Sequence, residues 1–181
     1  LILLIHNDLN ESTMRSLSFF YLQLFVFLIS IPSLIAQKPS PNYKLVWSDE
    51  FNYQGLPDST KWSYDVGTGH GGWGNNEQQY YTKDSLSNVK VKNGILIITA
   101  QKQMMGDKKY TSARMVTRGK AAWTYGKFEI RAKLPKGFGT WPAIWMLGTN
   151  IDSSGIGWPQ CGEIDIMEHT GSRATKIDAS V

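Results

Sequence analysis

After residue 37 no stretch places apolar residues at helical spacing over three turns, and alternation with a period of two dominates. The segment "KFEIRAKLP" sends Phe128, Ile130 and Ala132 one way and Lys127, Glu129, Arg131 and Lys133 the other, which predicts a half-buried strand. "VKVKNGILIITAQ" predicts two strands joined at Asn93-Gly94, a dipeptide that tolerates the positive φ angles of a tight hairpin turn. "SARMVTRGK" predicts a strand that ends in a glycine-containing turn. "WPAIWML" and "EIDIM" are nearly continuous apolar runs, suited to central strands covered on both faces. Short strands separated by Gly and Asn turns predict an all-β sandwich. One long, glycine-rich segment, "DVGTGHGGWGNNEQQYYTKDS", breaks the pattern and carries Trp73, Asn75, Asn76, Glu77, Gln78, Tyr80 and Tyr81. It reads equally as a solvated surface loop with aromatics tucked inward or as a binding loop.

The 181 residues, 41% of them hydrophobic, are enough for one compact domain with a real core. Part of that length is read as leader. From Met14, Arg15 is followed by an apolar run from Leu17 to Ile31, and Ala36 precedes the polar "QKPSPN". That layout predicts a secretory signal over residues 14–36, followed by a tether at 37–43 and a catalytic-size domain at 44–181. Leu34 is larger than the small residue preferred near such a cleavage site. An uncleaved membrane anchor is the competing reading, opposed by the shortness of the run and by Gln23 inside it. Residues 1–13 lack a methionine and are expected to be upstream sequence translated in frame, and the chain is expected to be a fragment truncated at its C-terminal end. The single cysteine, Cys161, excludes an intrachain disulfide and reads as a small semi-buried residue rather than a nucleophile. The net charge is +4 with Lys and Arg scattered, so no nucleic-acid partner is indicated.

The chemistry concentrates in "CGEIDIMEHTG", where Glu163, Asp165 and Glu168 fall within six residues. In a strand, Glu163 and Asp165 share one face while Ile164 and Ile166 point to the core. Strict alternation then buries Glu168 unpaired, at a cost. One bulged residue near Met167 shifts the register and returns Glu168 to the face of Glu163, giving three acids in a row over roughly 13 Å. Like charges on one face repel and raise one another's pKa, which has no structural benefit but separates protonation states. One carboxylate held ionised beside one held protonated is what breaking a glycosidic bond requires. Two rival readings remain at this point: a metal site made of Glu163, Asp165, Glu168 and His169, and an acidic strand that simply faces solvent.

Sugars stack flat C–H patches on aromatic rings and direct their hydroxyls to polar planar groups. Seven tryptophans is heavy use for this length. Trp141 and Trp145, four apart in "GTWPAIWMLG", are expected on one face of a strand, either as core or as the wall of a sugar groove. Asn76, Glu77 and Arg114 are candidates for hydroxyl contacts.

"LVWSDEFN", "GGWGNNEQQYYT", "YGKFEIRAKLP", "GTWPAIWMLG" and "GEIDIMEHTG" together resemble, in order, the laminarinase-type glycoside hydrolases of family 16, over roughly Leu45 to Gly171. The resemblance implies a concanavalin A-like β-jelly-roll sandwich with a concave substrate cleft, and retention of configuration. It implies Glu163 as nucleophile, Glu168 as acid/base and Asp165 as the residue that tunes them. It further implies that Trp141 and Trp145 flank the cleavage subsite, with Asn76, Arg114 and Trp123 toward the non-reducing side. No cofactor is required for the chemistry; a structural calcium, with Gly94 lending a carbonyl, is an expectation of the same origin, and its other ligands are unassigned. The implied function is a secreted or cell-surface (or periplasmic) endo-1,3-β-glucanase, a monomer acting on a β-glucan polysaccharide and meeting the membrane only through its signal. A non-hydrolytic β-glucan-binding protein, a transglycosylase, or a hydrolase of agar, carrageenan or lichenan on the same fold stay open.

Overall fold

A computed structural model of the chain describes residues 43–181. The readings made for residues 1–13, for 14–36 and for all of the tether but Tyr43 lie outside the described residues.

Regular structure among the described residues is almost wholly β. The strands are β1 (Ser63–Asp65), β2 (Gln79–Tyr81), β3 (Val89–Lys92), β4 (Ile95–Ile98), β5 (Tyr110–Ser112), β6 (Arg114–Val116), β7 (Ala143–Leu147), β8 (Glu163–Glu168) and β9 (Asp178–Ser180). The exception is a π-type turn at Gly72–Asn76. β3 and β4 form the hairpin that the sequence predicts: Lys92 pairs with Ile95, and Asn93 and Gly94 take φ angles of 54° and 73°. β1 lies antiparallel to β6, β2 parallel to β5, and β7, β8 and β9 make an antiparallel sheet with β8 in the middle.

Phe51, Val89, Val91 and Ala113 are the buried apolar residues, and Asp49, Asn88 and Thr111 are buried with them. Buried polar groups are tolerated only when bonded, and these are. The Asp49 carboxylate accepts from the backbone N–H of Phe51, the hydroxyl of Tyr53 and the indole N–H of Trp62. Burial first, and then the bond to the Asp49 carboxylate, leave the Tyr53 hydroxyl pushed up to about 12, against the lowering effect of the Asp58 N–H that it accepts. Asn88 donates to Thr99 O and Thr111 Oγ1 and accepts from Thr82 Oγ1, tying the start of β3 to three neighbouring segments. Over this layer Trp47 meets Trp62 and Trp123 edge-on at 5.5 Å, and Trp123 meets Phe128 the same way.

Three expectations change. "KFEIRAKLP" forms no strand among the described residues, because alternation selects a face but a ladder also needs a partner backbone. Trp141 precedes β7 rather than lying in it, since Pro142 cannot donate to a ladder. Ile164, expected in the core, is 46% exposed, because the apolar face of β8 is only partly covered by residues 43–181.

Candidate active site

The decisive feature is the register of β8 against β7. Leu147 faces Glu163, Met146 faces Ile164 and Trp145 faces Asp165, but Ile144 then faces Met167 and Ala143 faces Glu168. Ile166 is the extra residue, a bulge one position from where the alternation argument needs it. Ala143, Trp145 and Leu147 share one face of β7, so their partners Glu168, Asp165 and Glu163 share one face of β8. The bulge thus converts a pattern that would bury Glu168 into a row of three acids, each half-buried.

Each acid has its own donor. The Trp141 indole donates to Glu168 Oε1 at 3.1 Å, and the Trp158 indole donates to Glu163 Oε2 at 2.6 Å. The Ser180 hydroxyl donates to Asp165 Oδ2 at 2.7 Å from β9, whose register sets Ser180 opposite Asp165. Three neighbouring carboxylates are thereby each fixed by a different side chain. The bond from Lys176 at 3.0 Å, and then the ion pair with Arg173 at 2.6 Å, hold the carboxyl of Asp178, opposite Glu168 on β9, below the usual carboxylate range.

Behind the acid row, Arg114 lies between two rings, its guanidinium carbon 4.5 Å from the Trp73 centroid and 4.7 Å from that of Trp145. The β1–β6 register brings Asp65 opposite Arg114. Arg114 Nε and Asp65 Oδ2 face each other at 3.0 Å without the alignment of a hydrogen bond, so the attraction is that of an ion pair, while Arg118 donates to Asp65 Oδ1 at 3.3 Å. Asp65 is 8% exposed. Replacing it with alanine strands two guanidinium groups, one of them mostly buried. Asp65→Ala is expected to lower stability by about 2 kcal/mol or more. A urea midpoint for the full-length protein indistinguishable from wild type, at equal m, would contradict this.

The glycine-rich loop delivers Trp73. Its backbone is left-handed (φ 55°, ψ 30°), which is strained for so bulky a residue and is offset by the Arg114 stack and by Tyr81 at 5.9 Å. A Cβ at Gly69 would overlap the Trp73 ring, so only glycine lets the ring lie there. The Oε2 atom of Glu77 is taken up inside the loop by Gln79 and by the Tyr81 hydroxyl rather than left for a ligand. Burial first, and that bond to Glu77 second, push the Tyr81 hydroxyl well above the usual tyrosine range. Asn76 is exposed at the end of the π-type turn, its carbonyl accepting from Gln78.

Of the residues singled out from sequence, Glu163, Asp165, Glu168, Trp141 and Trp145 come together, and Arg114 joins them through Trp145. Trp123 is engaged with Trp47 and Phe128. The four-ligand metal reading does not survive: His169 is buried with Nδ1 on the Lys176 carbonyl, and among the described residues no three His, Cys, Asp or Glu side chains converge to hold a metal. Trp158, Asp65 and Ser180 escaped the sequence reading. Each owes its role to a partner set by sheet register or by the path of a turn.

The model of glycosyl hydrolases family 16 matches residues 76–181. The chain belongs to this family. The family 16 chain is 57% identical over 142 residues to a beta-glucanase of Rhodothermus marinus, covering 78% of itself and 49% of that protein. It is 46% identical over 138 residues to a glucan endo-1,3-beta-glucosidase of Cryptopygus antarcticus, covering 74% of itself and 48% of that protein. The X-ray structure of the Rhodothermus marinus laminarinase matches with a TM-score of 0.72 at 56% identity, over 76% of this chain and 54% of that one. The fold class is the jelly-roll sandwich that the sequence implied. The chain spans about half the length of the curated relatives it matches.

Proposed function

We propose that the protein is a secreted, monomeric, retaining endo-β-glucan hydrolase that cleaves β-1,3-glucosidic bonds by double displacement. The single observation that carries the reading is the bulge at Ile166, which sets Glu163, Asp165 and Glu168 on one face. In the first step Glu163 attacks the anomeric carbon and forms a glycosyl-enzyme ester as Glu168 gives its proton to the leaving oxygen. In the second, Glu168 takes a proton from water, and the resulting attack on the anomeric carbon releases the sugar and returns Glu163 to its ionised form. Asp165 lies between the two glutamates along the strand and is fixed by Ser180. The reaction needs no cofactor. Trp141, Trp145, Asn76, Arg114 and Trp123 are the proposed substrate contacts, Arg114 with its guanidinium plane fixed between two indoles. Relatives named beta-glucanase and glucan endo-1,3-beta-glucosidase support the choice of substrate. Secretion rests on the signal-like segment at 14–36.

The test is product analysis with the full-length protein. Laminarin should yield short oligosaccharides whose first-formed reducing ends are β by proton NMR. First-formed α ends would overturn retention, and laminarin binding without release of reducing sugar would replace the hydrolase by a binding protein.

A further inference from the structure

The Trp158 ring is 68% exposed, yet its Nε1–H lies 2.6 Å from Glu163 Oε2. A large aromatic ring left in solvent gains little from burial, so the hydrogen bond is what fixes its place. An indole N–H is a donor only, and a bond to a carboxylate is charge-assisted. The turn before β8 supports the arrangement: Cys161 N donates to Gly157 O and Gly162 N donates to Pro159 O, folding Trp158 back over the start of the strand. Trp141 makes the corresponding bond to Glu168 at the other end of the acid row. The two glutamates are thus each pinned by one indole from a different segment, and Glu163 keeps its Oε1 free of Trp158.

We infer that Trp158 is a positioning residue for the nucleophile: its indole N–H holds Oε2 of Glu163 so that Oε1 faces the anomeric carbon. This rests on the assignment of Glu163 as nucleophile. Attack is then made from a preset side-chain conformation, and the bond persists at Oε2 while Oε1 becomes the ester oxygen of the glycosyl-enzyme. Losing the N–H should slow attack without weakening substrate binding.

The experiment compares Trp158→Phe, which keeps an aromatic ring and loses the N–H, with Trp158→His, which keeps a ring donor, in the full-length enzyme. On laminari-oligosaccharides Trp158→Phe should lower kcat/KM roughly 10- to 100-fold, the loss expected of one hydrogen bond to a charged group, with KM unchanged. Trp158→His should recover part of the loss and serves also if the first variant folds poorly. The loss should persist on a 2,4-dinitrophenyl β-glucoside, whose leaving group needs no proton, because attack and not protonation is impaired. A loss that vanishes on that substrate, a change in KM alone, or wild-type kinetics would overturn the inference. Azide added to Glu163→Ala separates the two levels. Formation of an α-glycosyl azide upholds Glu163 as nucleophile whatever Trp158 does, and its absence together with retained hydrolysis removes the reading on which the inference stands.

Discussion

Glu163→Ala and Glu168→Ala in the full-length enzyme are each expected to abolish nearly all turnover on laminarin while leaving the fold intact. With Glu163 as the proposed nucleophile, Glu163→Ala removes the oxygen that attacks the sugar, and the loss should be roughly 10⁴-fold or more. Glu168→Ala removes proton transfer, for which a loss of about 10²–10⁴-fold is expected. The two are distinguished by leaving group. A dinitrophenyl glycoside departs without a proton, so Glu168→Ala should recover most of its kcat/KM on that substrate and Glu163→Ala should not. Neither side chain lies in the buried core, so unfolding temperatures should stay near wild type. Near-normal rates in either variant would show that the roles are misassigned.

Deleting Ile166 together with Met167 should be almost as damaging as losing Glu168, although neither residue is a proposed sugar contact. Glu168 then follows Asp165 directly, takes the place opposite Ile144 and turns to the face of Ile164. That orientation also removes the carboxylate from the Trp141 indole. The expected signature is that of a missing acid, with kcat/KM on laminarin down about 10²–10⁴-fold and kcat/KM on a dinitrophenyl glycoside largely spared. Deleting Ile166 alone removes only the bulge, so Glu163, Asp165 and Glu168 still alternate onto one face and most activity should remain. A double-deletion variant that folds, by far-ultraviolet circular dichroism, and hydrolyses laminarin at wild-type rates would show that the acids do not depend on strand register for their alignment.

The hairpin at Asn93-Gly94 and the three-acid face were legible because both are local. Two residues with positive φ specify the turn, and period-two alternation plus the cost of burying Glu168 requires one extra residue in the strand. "KFEIRAKLP" was misread for the complementary reason, since alternation is a property of one segment and a ladder a property of two. Arg114 could be named from the sequence, but its conformation was not legible there. The guanidinium is sandwiched by Trp73 and Trp145 and keyed by Asp65, three side chains from three separate parts of the chain.

The amino-acid order alone therefore determined the all-β class and which carboxylates stand on one face, because each depends on backbone period and residue type over short stretches, and it determined the family through five blocks that come in order along the chain. Only the tertiary structure decided what holds those carboxylates, with Trp141, Trp158 and Ser180 as separate donors, and that Asp65 is the counter-charge of Arg114. The reason is physical. A hydrogen bond or ion pair a few ångströms long is fixed by sheet register and by the path of the turns, and those emerge only when distant segments pack against one another.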